Sequence, residues 1–301
     1  MGKADRIRQR NARERIAAQQ AAAQRAEARR RILIASSSVF VVLAIVVGLV
    51  IGHDLNKPAK AVAAAANSNA TVASEIQSVP ASTLNSVGRG DASPLTPTKG
   101  SNPILTSNGK PLVLYMGAEY CPYCAAERWA LTVALSRFGT FSGLHFIHSS
   151  SADVYPRTPT LTFYQSKYTS PYIDFQPVEM QSGTETSEGV YATLQTPTST
   201  QAALMTKWDA PPYVPASDKG AYPFVDFGNQ YLVLGAQYVP SDLAKMTWAQ
   251  VAAAIKSPTT TVAKDIDGAA NSITAAICKI TKDAPAAVCK STAALAGEGS
   301  L

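Results

Sequence analysis

Two cysteines three positions apart are the residues of this chain best suited to do chemistry. Residues 121–124 read Cys-Pro-Tyr-Cys; they follow an apolar run at residues 112–116 and begin a segment with helical periodicity. Unpaired backbone N–H groups at a helix N-terminus lower a thiol pKa from about 8.5 toward about 3.5 to 7.5. We therefore predict a redox dithiol, in which Cys121 is the reactive thiolate and Cys124 resolves a mixed disulfide formed at Cys121.

Two other uses of this cysteine pair compete with redox exchange. A zinc site needs two further ligands, and His145 and His148 are the tempting candidates. Three positions apart on a strand, however, they point to opposite faces. A permanent structural disulfide is the second alternative. We favour redox exchange, and the sequence implies neither a metal nor an organic cofactor.

Acidic and aromatic residues flank the dithiol. Glu119 and Glu127 are candidates for moving the proton that a resolving thiol must lose. Each has the alternative of a solvated surface charge, and Glu127 also that of a salt bridge. Tyr120 and Tyr123 are expected to form part of an apolar rim that receives a substrate polypeptide. Ordinary packing is expected, with a specificity surface as the alternative, for Arg157, Tyr164 and Tyr172.

A second cysteine pair lies near the C-terminus. Cys278 and Cys289 flank residues 283–285, Asp-Ala-Pro, which are typical of a turn between two helical segments. A disulfide closing this loop would stabilise the fold by about 3 kcal/mol through chain entropy. The functional alternative is a second exchange pair that relays electrons to or from Cys121. Nothing in the sequence places these two thiols at a helix start, so we predict a structural disulfide.

The elements that must position the dithiol are predicted from periodicity and turn residues. Asn108-Gly109 predicts a hairpin turn that leads into the strand at 112–116. In the following helix Leu131 and Leu135 recur at helical spacing, and Arg128 and Thr132 lie on a polar stripe. The remaining predictions are strands at 144–148, 161–165 and 172–179, a helix at 199–208, a hairpin of 224–227 with 231–234, and a helix from 241.

With residues 151–197 set aside, the predicted order is strand, Cys-x-x-Cys helix, strand, helix, strand, strand, helix. In this order the chain resembles the thioredoxin-like superfamily, and its Pro-Tyr dipeptide is similar to that of glutaredoxins. The resemblance implies an α/β class, with a thioredoxin-like domain at 71–257 and an inserted β-rich segment at 151–197. Residues 258–301 are predicted to be a helical, disulfide-closed C-terminal extension.

The superfamily resemblance also implies a cis proline that precedes the third strand and packs against the dithiol. Thr158-Pro159 looks like the familiar local sequence, but only nine residues separate it from Ser149, too few for the intervening helix. Tyr222-Pro223 follows a predicted helix and begins the hairpin. We therefore assign the role to Pro223, with Tyr222 beside it; the cis form is uncommon, which makes the assignment specific.

A closer resemblance is carried by the residues around the dithiol. The run Gly117–Leu131, with Phe138–Ser142 behind it, resembles a membrane-anchored bacterial and archaeal family, domain-of-unknown-function family 929. The resemblance covers about residues 71–290 and includes Tyr172–Phe175 and Ala275–Cys278. It implies an exported thioredoxin-like domain and supplies no established reaction.

Charge and hydropathy divide the N-terminal part of the chain. Residues 1–31 contain ten Lys or Arg and three acids, a net charge of +7, so the other 270 residues have a net charge of about −1. Residues 32–52 are uncharged and long enough to span a bilayer, and the basic flank predicts a cytoplasmic N-terminus. Residues 53–70 are expected to be a flexible tether. A cleaved signal peptide is the alternative, because residues 59–61, Ala-Lys-Ala, resemble a cleavage site.

These patterns predict a single-pass membrane protein whose domain lies outside the cytoplasm. It would be a thiol-disulfide oxidoreductase acting on cysteines of exported proteins, with no assigned direction. Its expected partners are cysteine-containing exported proteins, a membrane redox partner and the bilayer around residues 32–52; nucleic acid is not expected. The cysteine usage suits an oxidising exterior. The alternative is a noncatalytic thioredoxin-like envelope scaffold or binding module with a structural disulfide.

Overall fold

The computed structural model describes residues 69–187 and 189–301 of the chain. Residues 69–77 are helical, so the last two residues of the predicted tether belong to a helix. The basic segment 1–31, the apolar span 32–52 and the rest of the tether lie outside the described residues. Within the described ranges, none of the helices combines the length and the apolar character needed to cross a bilayer.

The described chain contains both strands and helices, which gives a mixed α/β architecture. The strands are β1 (Thr96–Pro97), β2 (Thr106–Ser107), β3 (Lys110–Gly117), β4 (Thr140–Ser142), β5 (His145–His148), β6 (Pro159–Thr162), β7 (Lys167–Thr169), β8 (Asp174–Glu179), β9 (Gln181–Ser187), β10 (Val190–Thr193), β11 (Phe224–Phe227) and β12 (Tyr231–Leu234). The helices are α1 (Ala81–Val87), α2 (Pro122–Leu135), α3 (Ser199–Trp208), α4 (Trp248–Ala254), α5 (Thr261–Ile280), α6 (Ala286–Cys289) and α7 (Thr292–Gly297).

A mixed sheet of six strands lies at the centre of the fold. Its order is β1-β12-β11-β3-β2, and β8 also pairs with β3. Strand β3 is antiparallel to β11 and parallel to β8. The turn between β2 and β3 contains Asn108 and Gly109 at φ 52° and 73°, the positive values that this type of hairpin turn requires. The two predicted hairpins, β2 with β3 and β11 with β12, are therefore present.

Strand β3 is buried on both faces, which explains its unbroken apolar sequence. Val113 and Tyr115 belong to the main core cluster, to which α2 and α5 contribute. Leu114 and Met116, on the other face, pack in a second cluster with Trp208 of α3. The sheet is thus covered by helices on both sides, and the carboxyl end of β3 delivers the chain to the start of α2.

Helix α2 is buried around nearly its whole circumference. It packs along α5, and of its residues only Tyr123 is exposed, at 39%. The predicted polar stripe therefore does not face water: Arg128 and Thr132 are both fully buried. Because α5 lies within residues 258–301, the predicted C-terminal extension supplies part of the core. The part of the chain that the structure describes belongs to one compact unit, which includes the residues on both sides of the predicted boundary after residue 257.

The predicted insertion, residues 151–197, is rich in strands but does not lie wholly outside the main sheet. Its strand β8 is the parallel neighbour of β3. The strand predicted for that position, β5, instead pairs with β6 in a separate two-stranded ribbon. β4 pairs with β7, and β9 with β10, in two further ribbons. Side-chain periodicity indicates that a segment is a strand, but not which strand it pairs with, and this is why the prediction failed.

The C-terminal cysteines are joined to each other. Cys278, near the end of α5, and Cys289, at the end of α6, form a disulfide with an S–S distance of 1.98 Å and a Cα–Cα distance of 5.5 Å. Both residues are buried in the main core. The bond closes the turn at residues 281–285 and ties α6 to the helix that packs on α2.

Candidate active site

The first dithiol cysteine lies where a buried strand gives way to a buried helix. Cys121 is the N-cap of α2, and its Sγ accepts a hydrogen bond from the backbone N–H of Cys124 at 3.2 Å. Pro122 occupies the first helical position, where its missing N–H leaves no partner unsatisfied. The local sequence therefore folds so that helix amides point at one sulfur.

The two dithiol cysteines are free thiols with different access to solvent. Cys121 retains 7% of its surface, whereas Cys124 has none. Cys124 lies one turn further into α2, below Cys121. A macromolecular disulfide could therefore reach the sulfur of Cys121 but not that of Cys124 without a rearrangement.

The surroundings shift the two thiol pKa values in opposite directions. A hydrogen bond from the Cys124 thiol is the main cause that lowers the pKa of Cys121, and the Cys124 amide and the charge of Arg128 add to it against the effect of burial. Burial raises the pKa of Cys124 well above its ordinary value. Sequence reasoning credited the helix amides alone; the structure adds the second thiol and a buried cation. Cys121 is thus suited to be the nucleophile, and Cys124 to be the partner that keeps its proton.

The loop before β11 closes over the dithiol. The Tyr222–Pro223 peptide bond is cis, and the Cys121 thiol donates a hydrogen bond to the Tyr222 carbonyl at 3.7 Å. Tyr222 also packs against Cys121 and Cys124. The competing candidate, Pro159, does not have a cis bond; it begins β6, and its carbonyl accepts a hydrogen bond from the Trp129 indole at 3.0 Å.

The two acids singled out from the sequence lie in different surroundings. The Glu119 carboxylate accepts a hydrogen bond from the Gly183 amide at 3.2 Å, in the β9–β10 hairpin. Glu127 is fully buried and accepts one from the Gln237 amide at 3.0 Å, and burial raises its pKa to about 7. Glu127 is therefore neither a surface charge nor, within the described residues, part of a salt bridge. The hydrogen bonds of the described chain connect neither acid to the dithiol.

Sequence reasoning missed a buried ion pair beside the dithiol. The Arg128 guanidinium donates from Nε and Nη2 to the two carboxylate oxygens of Glu179 on β8, at 2.8 and 2.7 Å, and from Nη2 to the Ala118 carbonyl at 2.7 Å. Both side chains are fully buried. The pair joins α2, the main sheet and the segment before Cys121. The signal was an arginine in a helix that is mostly apolar, because buried arginines are almost always paired.

The predicted insertion supplies aromatic partners for the dithiol loop. Tyr120 stacks on Tyr191 with ring centroids 4.2 Å apart, and Tyr123 meets the edge of Tyr155 at 5.7 Å. The Tyr191 hydroxyl donates a hydrogen bond to the Ser150 Oγ at 2.7 Å. Tyr120 and Tyr123, which were predicted to form an apolar rim, thus contact Tyr191 and Tyr155, two residues that sequence reasoning did not select. Arg157, Tyr164 and Tyr172 were considered instead.

Metal ligation was the other use considered for these residue types. Across residues 69–187 and 189–301, no group of three or more His, Cys, Asp or Glu side chains is placed to hold a metal ion. His145 and His148 both belong to β5, and the His148 ring packs on Trp248 with centroids 4.8 Å apart.

Comparison with known proteins identifies one family model. The model, described as Domain of unknown function (DUF929), matches residues 96–279, which is more than half of the chain. The matched range contains the dithiol, the ion pair and the cis proline. No curated protein and no solved structure matches the chain.

Proposed function

This chain belongs to the DUF929 family, and from its own dithiol we propose that it is a thiol-disulfide oxidoreductase acting on cysteines of exported proteins. The observation that carries the proposal is the placement of Cys121 at the N-cap of α2, where its Sγ accepts a hydrogen bond from the Cys124 amide and keeps some exposure, while Cys124 is fully buried. The surroundings accordingly lower the pKa of Cys121 and raise that of Cys124. Disulfide exchange requires one cysteine that attacks as a thiolate and a second cysteine that stays protonated until the mixed disulfide has formed. A structural cysteine pair needs neither.

The arrangement of elements supports a thioredoxin-like fold for this enzyme. The order strand, Cys-x-x-Cys helix, strand, helix, strand, strand, helix is supplied by β3, α2, β8, α3, β11, β12 and α5. The cis bond before Pro223 adjoins the dithiol, as the superfamily resemblance implies. In this assignment, the segments on either side of β8 are the insertions into the thioredoxin-like order.

The proposed reaction proceeds through a mixed disulfide. The Cys121 thiolate attacks one sulfur of a client disulfide, a bond forms between them, and the other client sulfur leaves as a thiolate that takes up a proton. Cys124 then loses its proton and attacks the Cys121 sulfur, which forms the Cys121–Cys124 disulfide and releases the second client thiol. The reverse sequence oxidises a client. Tyr120, Tyr123, Tyr222 and the backbone at Pro223 would contact the client chain.

We place this reaction outside the cytoplasm, at a membrane. The support is the uncharged run at 32–52 after the basic segment 1–31, which matches a retained anchor with a cytoplasmic N-terminus. The Cys278–Cys289 disulfide also fits an oxidising compartment. The partners would be exported cysteine-containing proteins and a membrane protein that restores the redox state of the dithiol.

One observation favours a second candidate, a noncatalytic binding module. Cys121 exposes only 7% of its surface, and aromatic pairs surround it. In such a module the oxidised Cys121–Cys124 pair would be inaccessible. Dithiothreitol would then reduce it no faster than an ordinary structural disulfide.

Trapping tests the enzyme against the module. We expect the full chain carrying Cys124→Ser to accumulate mixed disulfides with exported proteins in growing cells, visible on non-reducing gels and absent after reduction. The control is the Cys121→Ser/Cys124→Ser chain, which lacks the attacking thiol. If no adduct forms at Cys121, and the wild-type disulfide also resists dithiothreitol, the oxidoreductase proposal is wrong.

A further inference from the structure

A buried tyrosine on β3 has no partner for its hydroxyl. Tyr115 is fully buried, and its Oη forms no hydrogen bond within the described residues. A buried hydroxyl without a hydrogen-bond partner destabilises the folded protein, because it has lost its hydrogen bonds to water. Such a group is therefore expected to gain a partner in another state of the protein.

The unpartnered hydroxyl lies beside the buried thiol. A Cβ atom built on Gly117 would be 2.2 Å from the Tyr115 Oη and 3.1 Å from the Cys124 Sγ. The hydroxyl oxygen and the sulfur are thus separated by no more than the sum of these two distances. Gly117 leaves the space between them free, because any larger residue would collide with the tyrosine ring.

A cationic donor occupies the same region. The Cζ atom of Arg128 is 6.0 Å from the centroid of the Tyr115 ring. Nε and Nη2 of Arg128 are bonded to Glu179 and Ala118, whereas Nη1 is buried without a partner in the described chain. Two buried donors in this region, the neutral Tyr115 hydroxyl and the charged Arg128 Nη1, therefore have no partner within the described residues.

We propose that the Tyr115 hydroxyl donates a hydrogen bond to the Cys124 sulfur when that sulfur is a thiolate, which makes Tyr115 a residue of the resolving step. The inference rests on the proposed thiol-disulfide exchange. Arg128 supports the same negative charge at longer range.

The step balances without any further reactant. The Cys124 thiolate attacks the Cys121 sulfur of the mixed disulfide, the bond between Cys121 and the client sulfur breaks, and the Cys121–Cys124 bond forms. The client sulfur leaves with the bonding electron pair and takes up the proton that Cys124 released. Tyr115 keeps its own proton throughout. In the reverse direction Cys124 is the leaving thiolate, and the same hydrogen bond stabilises it.

The titration behaviour of Tyr115 agrees with a donor and not with a base. Burial raises the pKa of its hydroxyl well above the ordinary value, and the opposing charge of Arg128 does not cancel that effect. The other titratable groups that act on it are Cys124, Glu179 and Cys121. A hydroxyl that stays protonated at neutral pH can donate its hydrogen to a thiolate, which can only accept.

A two-phase reaction with dithiobis-nitrobenzoate separates the two thiols. Cys121 displaces one coloured thiolate, and resolution by Cys124 releases the second. In the full chain with Tyr115→Phe we expect the first phase to match wild type, while the second slows about tenfold, the effect of one hydrogen bond to a charged group. The pH midpoint of the second phase should also rise. The matched control is Tyr168→Phe, which removes a hydroxyl bonded to the Leu135 carbonyl and should change neither phase.

The outcomes separate this inference from the function on which it rests. An unchanged second phase in Tyr115→Phe, or equal slowing of both phases, overturns the role of Tyr115 and leaves the oxidoreductase intact. If wild-type Cys121 reacts no faster than an ordinary thiol, the proposed function fails instead. If Tyr115→Phe melts far below wild type, a second measurement decides the role of Tyr115. The pKa of Cys124 is titrated by the ultraviolet absorbance of its thiolate in Cys121→Ser, with and without Tyr115→Phe. An equal pKa in both chains overturns the role.

Discussion

The Cys278–Cys289 pair and the Cys121–Cys124 pair put the same residue type to different uses. The first joins α5 to α6 through a disulfide across 11 positions, in a buried apolar setting. The second consists of free thiols within one turn of α2, beside a helix start and the buried cation of Arg128. The two pairs are both buried, so what differs between them is the set of nearby donors and charges.

The largest expected difference is between removing the Cys121 sulfur and removing the C-terminal disulfide. Cys121→Ser should lower the rate of disulfide exchange by at least about 10³-fold, because serine offers no thiolate. Cys278→Ala/Cys289→Ala should retain most of the wild-type exchange rate. The measurement is the rate at which each variant reduces a model disulfide, under conditions where both variants are folded. Comparable losses of rate in the two variants would contradict the assignment of different roles to the two cysteine pairs.

The ion pair beside the dithiol should give the next largest effect. Arg128→Met leaves the Glu179 carboxylate buried without its partner, which should lower the free energy of unfolding by about 3 to 5 kcal/mol. It should also raise the pKa of Cys121, since the arginine charge favours the thiolate. Urea unfolding and thiolate absorbance measure the two changes. The control, Arg128→Met/Glu179→Leu, should recover most of the stability but not the low pKa.

Opening the C-terminal disulfide should affect stability and not chemistry. Cys278→Ala/Cys289→Ala should lower the free energy of unfolding by about 3 kcal/mol, from the chain entropy of the loop that it closes. Denaturant titration of the two chains checks this value. A variant that is as stable as wild type would show that the loop is held by α5 and α6 without the bond.

A smaller effect concerns Glu127, which is buried in the dithiol helix without a cation. Burial raises its pKa from 4.5 to about 7, so the folded protein holds a proton that the unfolded chain has released. Its contribution to stability is therefore full below about pH 4.5 and is lost as the pH rises to about 7, by on the order of 2 kcal/mol. Urea unfolding between about pH 5 and about pH 8 should show this decline in wild type and less of it in Glu127→Gln.

Asp267 provides the comparison that sharpens this test. It is fully buried, and burial raises its pKa to about 8. The loss of stability that Asp267 causes therefore extends to higher pH, and it should remain in Glu127→Gln. Identical pH dependence of stability in Glu127→Gln and wild type would refute the assigned shift at Glu127.

Features fixed by neighbouring residues were predictable from the sequence. The turn at Asn108-Gly109, the helix at 199–208 and the position of Pro122 at the start of α2 all follow from local chemistry. The cis bond at Pro223 was reached differently, by asking which proline the superfamily order left available.

Features that depend on distant partners were not predictable. β5 and β8 both read as short strands, and only the tertiary fold decides that β8 is the one that pairs with β3. Arg128 pairs with Glu179, which lies 51 positions away in the sequence. The rings of Tyr155 and Tyr191 contact the dithiol loop only because of the tertiary fold, which no local sequence pattern indicates. What the sequence could not indicate was therefore mainly which of its elements meet.

The β9–β10 hairpin pairs, within the described chain, only with itself, yet it stacks Tyr191 on Tyr120 and bonds to Glu119. The groups that lower the pKa of Cys121, by contrast, belong to α2. The contacts of the hairpin and the groups that lower the pKa of Cys121 therefore lie on different elements. Under the proposed function, replacing the hairpin at residues 181–193 should change which clients are trapped and leave the sulfur chemistry unchanged.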